Sequence, residues 1–184
     1  MIDSGFTFFA TPLGPVGIAW RGDALAALHL PGDGSSGDEA EIRTRFRGLQ
    51  RAPAPLWVET AIARIRALLA GAPSDLADLP LDFASVGAFE AAVYRAAQSV
   101  PPGSTLTYGE LAERIGDRGA ARAVGQALGR NPWPIVVPCH RITAAAGKLG
   151  GFSAPGGSLT KRRLLELEGA FRADTLPLFA SPEG

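Results

Sequence analysis

The feature that most constrains the fold is a change of pattern along the chain, from short apolar runs at its start to helical spacings later on. Near the start, three apolar runs alternate with turns rich in Pro, Gly and Asp, which is the pattern of neighbouring β-strands. The predicted strands cover residues 6–10, 16–20 and 25–30. Two helices are predicted next, near residues 38–49 and 57–70, and the second of them is expected to stop at Gly71.

Residues 71–82 are rich in Pro, Asp and Ala, and this composition predicts a connector between two domains. Three further helices are predicted beyond it, at residues 88–99, 107–115 and 120–129. In the first of these, Phe89, Val93 and Ala96 are expected to share one side. The predicted class is α+β, with an N-terminal domain over residues 1–82, a second domain over residues 83–170 and a C-terminal tail over residues 171–184.

The last two predicted helices have the arrangement of a helix-turn-helix unit. Thr107 and Glu110 form a capping box at the start of the first helix, and a Gly-Asp-Arg-Gly turn follows it. The second helix is rich in Ala and Gly, with Val124 and Leu128 expected to face the core. So slim a helix can either bring its backbone close to DNA or pack tightly against another helix, and the pattern alone favours neither.

The amino-acid totals exclude several classes of function. The single cysteine rules out an internal disulfide and favours a reducing, cytoplasmic compartment. With only two histidines and no Cys-x-x-Cys or His-Glu-x-x-His spacing, the chain does not support a zinc site. No apolar stretch approaches the roughly 20 residues of a membrane span, and the N-terminus lacks the basic leader of a signal peptide. We therefore expect no metal and no membrane partner.

Charge is distributed unevenly, although the chain as a whole is neutral. Residues 104–172 contain ten Lys and Arg and five Asp and Glu, which gives this part a net charge of +5 and the remainder −5. A basic half of this kind is compatible with a polyanion bound through one face. The same imbalance is also common in proteins that bind no nucleic acid, so the charge does not decide the matter.

Cys139 is the candidate centre of the chemistry. It follows Ile135–Val137, a short apolar run that predicts a rigid segment with the cysteine at its end. Only the thiolate of a cysteine is a strong nucleophile, and the neighbouring His140 and several arginines can lower the pKa that controls its formation. Two other interpretations stay open: an inert buried cysteine, or the nucleophile of a cysteine protease with His29 or His140 as its base.

Around this cysteine the sequence resembles a known family. Pro138-Cys139-His140-Arg141-Ile142 matches the Pro-Cys-His-Arg-[Val/Ile] signature of the O6-alkylguanine-DNA alkyltransferases. Four further motifs of that family follow its order, and the resemblance covers residues 89–169. These motifs are residues 107–112, residues 120–125, Asn131-Pro132 and residues 164–169.

The resemblance implies a fold and an activity. The N-terminal domain is expected to be an α/β unit like ribonuclease H, and the second domain a mainly helical one of winged-helix or helix-turn-helix type. We expect a monomer that binds double-stranded DNA through the minor groove and flips O6-alkylguanine out of the stack, with O4-alkylthymine as a second candidate substrate. The alkyl group would pass irreversibly to Cys139 in a single turnover, without a cofactor.

The resemblance also implies roles for individual residues. Cys139 would attack the alkyl carbon, His140 would remove its proton through a water, and Glu168 would orient His140. Tyr108 would donate a hydrogen bond or a proton to the guanine, and Asn131 would brace the turn before the cysteine. The residues expected to contact DNA or the base are Arg122, which would fill the space left by the flipped base, Tyr108, Ala121, Gly125, Arg130, Pro138, Ile142, Phe152 and Ser153.

Each of these side chains also has a simpler interpretation. Tyr108 can simply cap a helix, and Asn131 can simply form a turn. Arg122 can belong to a solvated helix face, and Glu168 can form a surface ion pair with Arg163. The sequence also departs from the family, because Phe152 stands where many members have tyrosine and the glycine-rich loop around it is longer. Two rival functions therefore remain beside repair: a lesion-sensing module that flips alkylguanine but transfers the alkyl group poorly, and a helix-turn-helix regulator with an inert cysteine.

Overall fold

The computed structural model describes residues 3–32, 42 and 44–170, and it has the α+β class expected from the sequence. The N-terminal half contains a three-stranded antiparallel sheet in which the strand order follows the chain. Its strands are β1 (Ser4–Thr11), β2 (Gly14–Arg21) and β3 (Ala24–His29). The three predicted strands are therefore confirmed, with small differences at their ends.

Helix α1 (Leu56–Leu69) confirms the helix predicted at residues 57–70. Its buried residues Val58, Ile62, Ile65 and Leu69 recur at helical spacing and join the core of the sheet. Gly71 follows the helix with a positive φ of 81°, as its stop position suggested.

The helix predicted near residues 38–49 is only partly within the described residues. Ile42, Thr44 and Arg45 are helical, and residues 46–48 form a turn, so the helix ends before residue 49. Residues 38–41 and 43 lie outside the described part, as does the predicted tail at residues 171–184.

The second half is mainly helical. Its helices are α2 (Ala88–Gln98), α3 (Tyr108–Arg114), α4 (Ala121–Gly129) and α5 (Gly157–Leu167). Two short strands, β4 (Leu106–Thr107) and β5 (Ile142–Thr143), pair in parallel. Within residues 3–32, 42 and 44–170, no helix combines the length and the apolar character that a membrane span needs.

A capping box fixes where α3 begins. The Thr107 hydroxyl accepts from the Glu110 N–H at 3.2 Å, and the Glu110 carboxylate accepts from the Thr107 N–H at 2.6 Å. A side-chain cap of this kind is worth about 1 kcal/mol. The prediction is confirmed, and the box places Tyr108 as the first residue of α3.

Helices α2 and α4 pack against each other. Val124 and Leu128 are buried as predicted, and the buried hydroxyl of Tyr94 donates to the carbonyl of Ala127 at 2.8 Å. Of the residues predicted to share one side of α2, Val93 is buried but Phe89 is exposed, and the buried residues of the helix are Ala91, Val93, Tyr94 and Ala97. The large Tyr94 ring, whose hydroxyl needs a partner, determines which face of α2 turns inward.

The two halves share one hydrophobic core, in which Trp133 is fully buried. The Trp133 indole N–H donates to the carbonyl of Leu25 in β3 at 2.8 Å, and the Leu28 N–H donates to the carbonyl of Pro132 at 2.8 Å. The connector joins the same strand, because the Leu25 N–H donates to the carbonyl of Pro80 at 2.8 Å. The segment that leads to Cys139 is therefore anchored on the N-terminal sheet.

The segment that leads to Cys139 is not a regular strand. Ile135 has a positive φ of 77°, Pro134 and Val137 form only an isolated bridge, and Cys139–Arg141 is a single 3-10 turn. The prolines explain the difference, since they cannot donate to a strand ladder. A left-handed β-branched residue is strained, and burial of Ile135 in the core holds it there.

Candidate active site

Asn131 shapes the turn that carries the cysteine. Its side-chain N–H donates to the carbonyl of Val137 at 2.8 Å, and its side-chain oxygen accepts from the N–H of Trp133 at 2.9 Å. The same amide nitrogen lies 3.4 Å from the sulfur of Cys139, within reach of a weak hydrogen bond. One buried side chain thus spans the turn and contacts the nucleophile.

Cys139 is buried, and the exposed fraction of the residue is only 7%. Burial raises the pKa of the Cys139 thiol above its ordinary value, while the Asn131 hydrogen bond and the charge of Lys161 act in the opposite direction without overcoming it. The lowering suggested by the sequence therefore does not hold for the resting protein. Cys139 rests as a neutral thiol and needs a base before it can attack.

His140 and Glu168 form a buried pair, with 0% and 2% of their side chains exposed. His140 Nε2 lies 2.8 Å from Glu168 Oε1. Because Glu168 is a carboxylate, Nε2 carries the proton and Nδ1 is the basic nitrogen. Nδ1 is buried and makes no hydrogen bond with any residue of the described part. Burial lowers the pKa of His140, so the imidazole rests neutral with Nδ1 available to accept a proton.

Arg141 binds the same carboxylate from the other side. Its Nε donates to Glu168 Oε2 at 2.9 Å, its Nη2 donates to Oε1 at 2.8 Å, and its Nη1 donates to the carbonyl of Val100. Burial alone would raise the pKa of Glu168, but the hydrogen bonds from His140 and Arg141 outweigh burial and hold it at about 2. This arrangement excludes the surface ion pair with Arg163, because the Glu168 side chain is buried and its carboxylate already binds His140 and Arg141.

A cavity of about 300 Å³ opens onto Cys139. Its other lining residues come from the start of α3, from α4 and from the glycine-rich loop, and they are Tyr108, Gly125, Leu128, Gly129, Gly151, Phe152 and Ser153. The Tyr108 hydroxyl donates to the carbonyl of Gly151 at 3.2 Å. Burial raises the pKa of Tyr108, so this hydroxyl keeps its proton and remains a donor.

The other predicted contact residues lie outside this cavity. Arg122 is exposed and makes no ion pair or hydrogen bond with the rest of the described chain, and Ala121 beside it is partly exposed. Arg130 is exposed but pairs with Glu90 of α2 at 2.9 Å. Pro138 and Ile142 are buried on either side of the cysteine turn, where their side chains do not reach the cavity.

Two buried cations were not identified from the sequence. In the sequence, Arg141 lies inside the signature, and Lys161 is the first of three consecutive basic residues. Both are buried, with exposed fractions of 4% and 0%. Helical spacing could have indicated Lys161, because it shares a face with Leu164, Leu165 and Glu168. Among the described residues, no cluster of His, Cys, Asp or Glu is arranged to hold a metal ion.

Comparison with known proteins gives a consistent result. Residues 88–170 match the family model for the DNA-binding domain of 6-O-methylguanine DNA methyltransferase. A methylated-DNA–protein-cysteine methyltransferase of Mycobacterium tuberculosis is 38% identical over 169 residues, which cover 92% of this chain and 94% of that protein.

Solved structures agree with the sequence matches. The crystal structure of Mycobacterium tuberculosis OGT in complex with DNA is similar with a TM-score of 0.74 and 35% identity, over 90% of this chain and 93% of that one. The O6-methylguanine-DNA methyltransferase of Pyrococcus kodakaraensis has a TM-score of 0.67 and 29% identity, over 90% and 99% of the two chains. This chain therefore belongs to the methylated-DNA–protein-cysteine methyltransferase family, whose members repair DNA by transferring an alkyl group to a cysteine.

Proposed function

We propose that this protein flips O6-alkylguanine out of double-stranded DNA and takes the alkyl group onto Cys139, irreversibly and once per molecule. One observation carries the proposal: the only cysteine of the chain lines a cavity of about 300 Å³, with Asn131 within hydrogen-bond reach of its sulfur and His140, the next residue of the same turn, paired with the buried Glu168 carboxylate. A flipped base is the substrate this arrangement suits, because a buried sulfur cannot reach an alkyl carbon inside the stack.

The first step is removal of the thiol proton. His140 Nδ1 accepts it through a water, and the imidazolium that forms is stabilised by the Glu168 carboxylate at 2.8 Å from Nε2. Because Arg141 binds the same carboxylate, it keeps Glu168 ionised and in place. The resting thiol and imidazole are both neutral, so charge develops only when the reaction begins.

The second step is displacement at the alkyl carbon. The Cys139 sulfur forms a bond to that carbon, the bond from carbon to guanine O6 breaks, and the electron pair stays with the guanine. The Tyr108 hydroxyl donates a hydrogen bond or a proton to a ring nitrogen, which makes guanine a better leaving group. Backbone groups near Ile142 and Ser153 read the base edge, and Phe152 forms part of the cavity wall.

Capture of the lesion is assigned to α4. We propose that α4 enters the minor groove of DNA, with Ala121 and Gly125 allowing close approach and Arg130 near the phosphates. Arg122 fills the space left by the flipped base, a role that its guanidinium supports, since it is exposed and has no ion pair within residues 3–32, 42 and 44–170. The protein acts as a monomer in the reducing environment of the cytoplasm, where a free thiol survives.

Mass spectrometry of the intact protein tests the proposal. After incubation with O6-methylguanine DNA, we expect a gain of one methyl group per molecule, located at Cys139 by peptide mapping. The matched control is the same duplex with unmodified guanine. A parallel incubation with O4-methylthymine DNA determines whether that lesion is also a substrate.

The rival functions predict different results in the same experiment. Tight binding of alkylguanine DNA without a mass change would indicate a module that senses lesions. Equal binding of damaged and undamaged DNA, again without a mass change, would indicate a helix-turn-helix regulator. Either result would overturn the transfer proposal.

A further inference from the structure

Lys161 is a buried cation that the proposed reaction does not yet use. Lys161 belongs to α5, and its side chain is fully buried in the protein. No carboxylate of the described residues pairs with it. Removing an ammonium group from water without a counter-charge is costly, and that burial lowers the pKa of Lys161 to about 8. A leucine or methionine would fill the same space more cheaply, so stability alone does not explain a lysine here.

The ammonium group joins two segments of the site. It donates to the carbonyl of Ile142, directly after the cysteine turn, at 2.5 Å, and to the carbonyl of Gly151 in the cavity wall at 3.1 Å. It also lies 5.6 Å from the centre of the Tyr108 ring, within the range of a cation–π contact. Lys161 therefore holds the nucleophile turn, the cavity wall and the aromatic ring in fixed relation.

The Gly151 carbonyl is shared between two donors. It accepts from Lys161 and also from the Tyr108 hydroxyl at 3.2 Å. If Tyr108 turns its hydroxyl to a bound guanine, Lys161 still satisfies this carbonyl, so the move leaves no unpaired polar group. The ionisable groups that face the ammonium are Tyr108, Cys139 and His140, and its charge favours a thiolate at Cys139.

We propose that Lys161 is a positioning residue for alkyl transfer: it holds the Ile142 and Gly151 carbonyls, releases the Tyr108 hydroxyl for the guanine, and stabilises the negative charge that develops on the Cys139 sulfur. The part concerning guanine rests on the proposed function. The part concerning the sulfur does not, and it can be tested without DNA.

The test compares Lys161→Met, which keeps the size and removes the charge and the donors, with Arg163→Met as a matched control. Arg163 is an exposed residue of the same helix, so this control removes one positive charge outside the site. Single-turnover transfer is measured with saturating O6-methylguanine DNA over a range of pH. We expect Lys161→Met to lower the maximal rate about tenfold or more, with its pH profile displaced to higher pH, and Arg163→Met to leave both unchanged.

Stability separates positioning from simple structural support. Replacing an unpaired buried charge by a methionine is expected to leave the midpoint of thermal unfolding unchanged or to raise it. A folded Lys161→Met protein with the wild-type maximal rate and pH profile would overturn the proposal. If that variant does not fold, Lys161→Gln, which retains hydrogen-bond donors without the charge, is judged by the same criteria of maximal rate and pH profile.

Alkylation of Cys139 by iodoacetamide supplies the measurement without DNA. The pH at which the thiol reaches half of its maximal reactivity is expected to be higher in Lys161→Met than in the wild type and the Arg163→Met control. Equal pH midpoints would overturn the assigned effect on the sulfur. Failure of the wild type to accept a methyl group from DNA would instead contradict the proposed function, and the iodoacetamide result would still stand on its own.

Discussion

The cysteine turn and the exposed face of α4 are built on opposite principles. In the sulfur cluster (Asn131, Cys139, His140, Arg141 and Glu168), the polar side chains are buried: Asn131 contacts the Cys139 sulfur, and His140 and Arg141 bind the Glu168 carboxylate. His140 Nδ1 is the one buried side-chain nitrogen among them without a partner in the described chain. On α4, Arg122 is exposed and contacts no other charged group of the described residues.

This difference between a buried network and an exposed arginine indicates where alkyl transfer and lesion binding are each expected to take place. A buried network keeps its geometry before the substrate arrives, which is what a reaction with developing charge requires. An exposed and unpaired arginine loses little on binding, because no internal bond must break before it enters DNA. Substitutions in the sulfur cluster should therefore change the transfer rate, whereas those on α4 should change lesion binding.

The largest effect should come from the nucleophile itself. Cys139→Ala is expected to abolish transfer and to leave binding of O6-methylguanine DNA within about twofold of the wild type, because the change removes only a buried sulfur. Intact mass measures the transfer, and a fluorescence titration measures the binding. Methyl uptake by the variant would place the acceptor elsewhere in the chain.

Gly150 offers a sharp test of the cavity wall beside the cluster. Gly147 and Gly150 both have a φ of 72°, but a Cβ at Gly150 would lie 2.9 Å from the Tyr108 ring, whereas one at Gly147 meets nothing within 4 Å. Each alanine substitution should cost about 1–2 kcal/mol of backbone strain. Only Gly150→Ala should also displace Tyr108 and slow single-turnover transfer, by about tenfold or more. Equal transfer rates in the two variants would show that the position of Tyr108 does not control the reaction.

Arg122 tests the role of the exposed face of α4 in binding the lesion. Arg122→Ala should weaken binding of O6-methylguanine DNA more than binding of undamaged DNA, by about tenfold, because unstacking the base is no longer compensated. Arg118→Ala is the matched control, since Arg118 is exposed, lies just before α4 and, among the described residues, forms an ion pair with Glu113 alone. If Arg122→Ala weakens both DNAs equally, the side chain is a simple phosphate contact.

Acid should remove the ionic stabilisation that Glu168 gives to the sulfur cluster. The pKa of Glu168 is held near 2, below its ordinary value, so its ionic stabilisation is complete above about pH 4.5 and is lost as the pH falls towards 2. The free energy of unfolding of the wild type should therefore approach that of Glu168→Gln on acidification, from a difference of about 3 kcal/mol at pH 6. Urea titrations over this range measure it, and a difference independent of pH would contradict the assigned pairing.

The sequence predicts the regular parts of the fold because local rules determine them. The capping box at Thr107 and Glu110, the buried spacing of Val124 and Leu128, and the three strands all follow from local pattern. It does not predict the shape of the turn before Cys139, because long-range contacts hold that turn: Trp133 bonds to Leu25, 108 residues away in sequence.

The same limit applies to the site. The signature identifies Cys139 and His140. Whether a cysteine rests as a thiolate or as a neutral thiol depends on its burial, which the periodicity of the sequence does not report. The expected lowering of the Cys139 pKa is wrong for this reason. The sequence does not indicate that Lys161 and Arg141 are buried, because charged residues are usually exposed. Only the folded chain brings Lys161 to the Ile142 carbonyl and Arg141 to the Glu168 carboxylate.

The buried carboxylate of Glu168 allows the most direct test of the account. Glu168→Gln keeps the shape of the side chain but removes the charge that stabilises the His140 imidazolium, so the proton of Cys139 becomes harder to remove. Glu166→Gln is the matched control, because Glu166 is exposed and forms a surface ion pair with Arg162, its single charged partner in the part of the chain that the structure describes.

The measurement is the single-turnover transfer rate at saturating O6-methylguanine DNA, as a function of pH and under conditions in which all variants are folded. We expect Glu168→Gln to lower the rate near neutral pH by about 10- to 100-fold, with the profile displaced to higher pH and DNA binding unchanged. Glu166→Gln should match the wild type. Superimposable profiles and equal rates for Glu168→Gln and the wild type would contradict the role of the buried network in the chemistry.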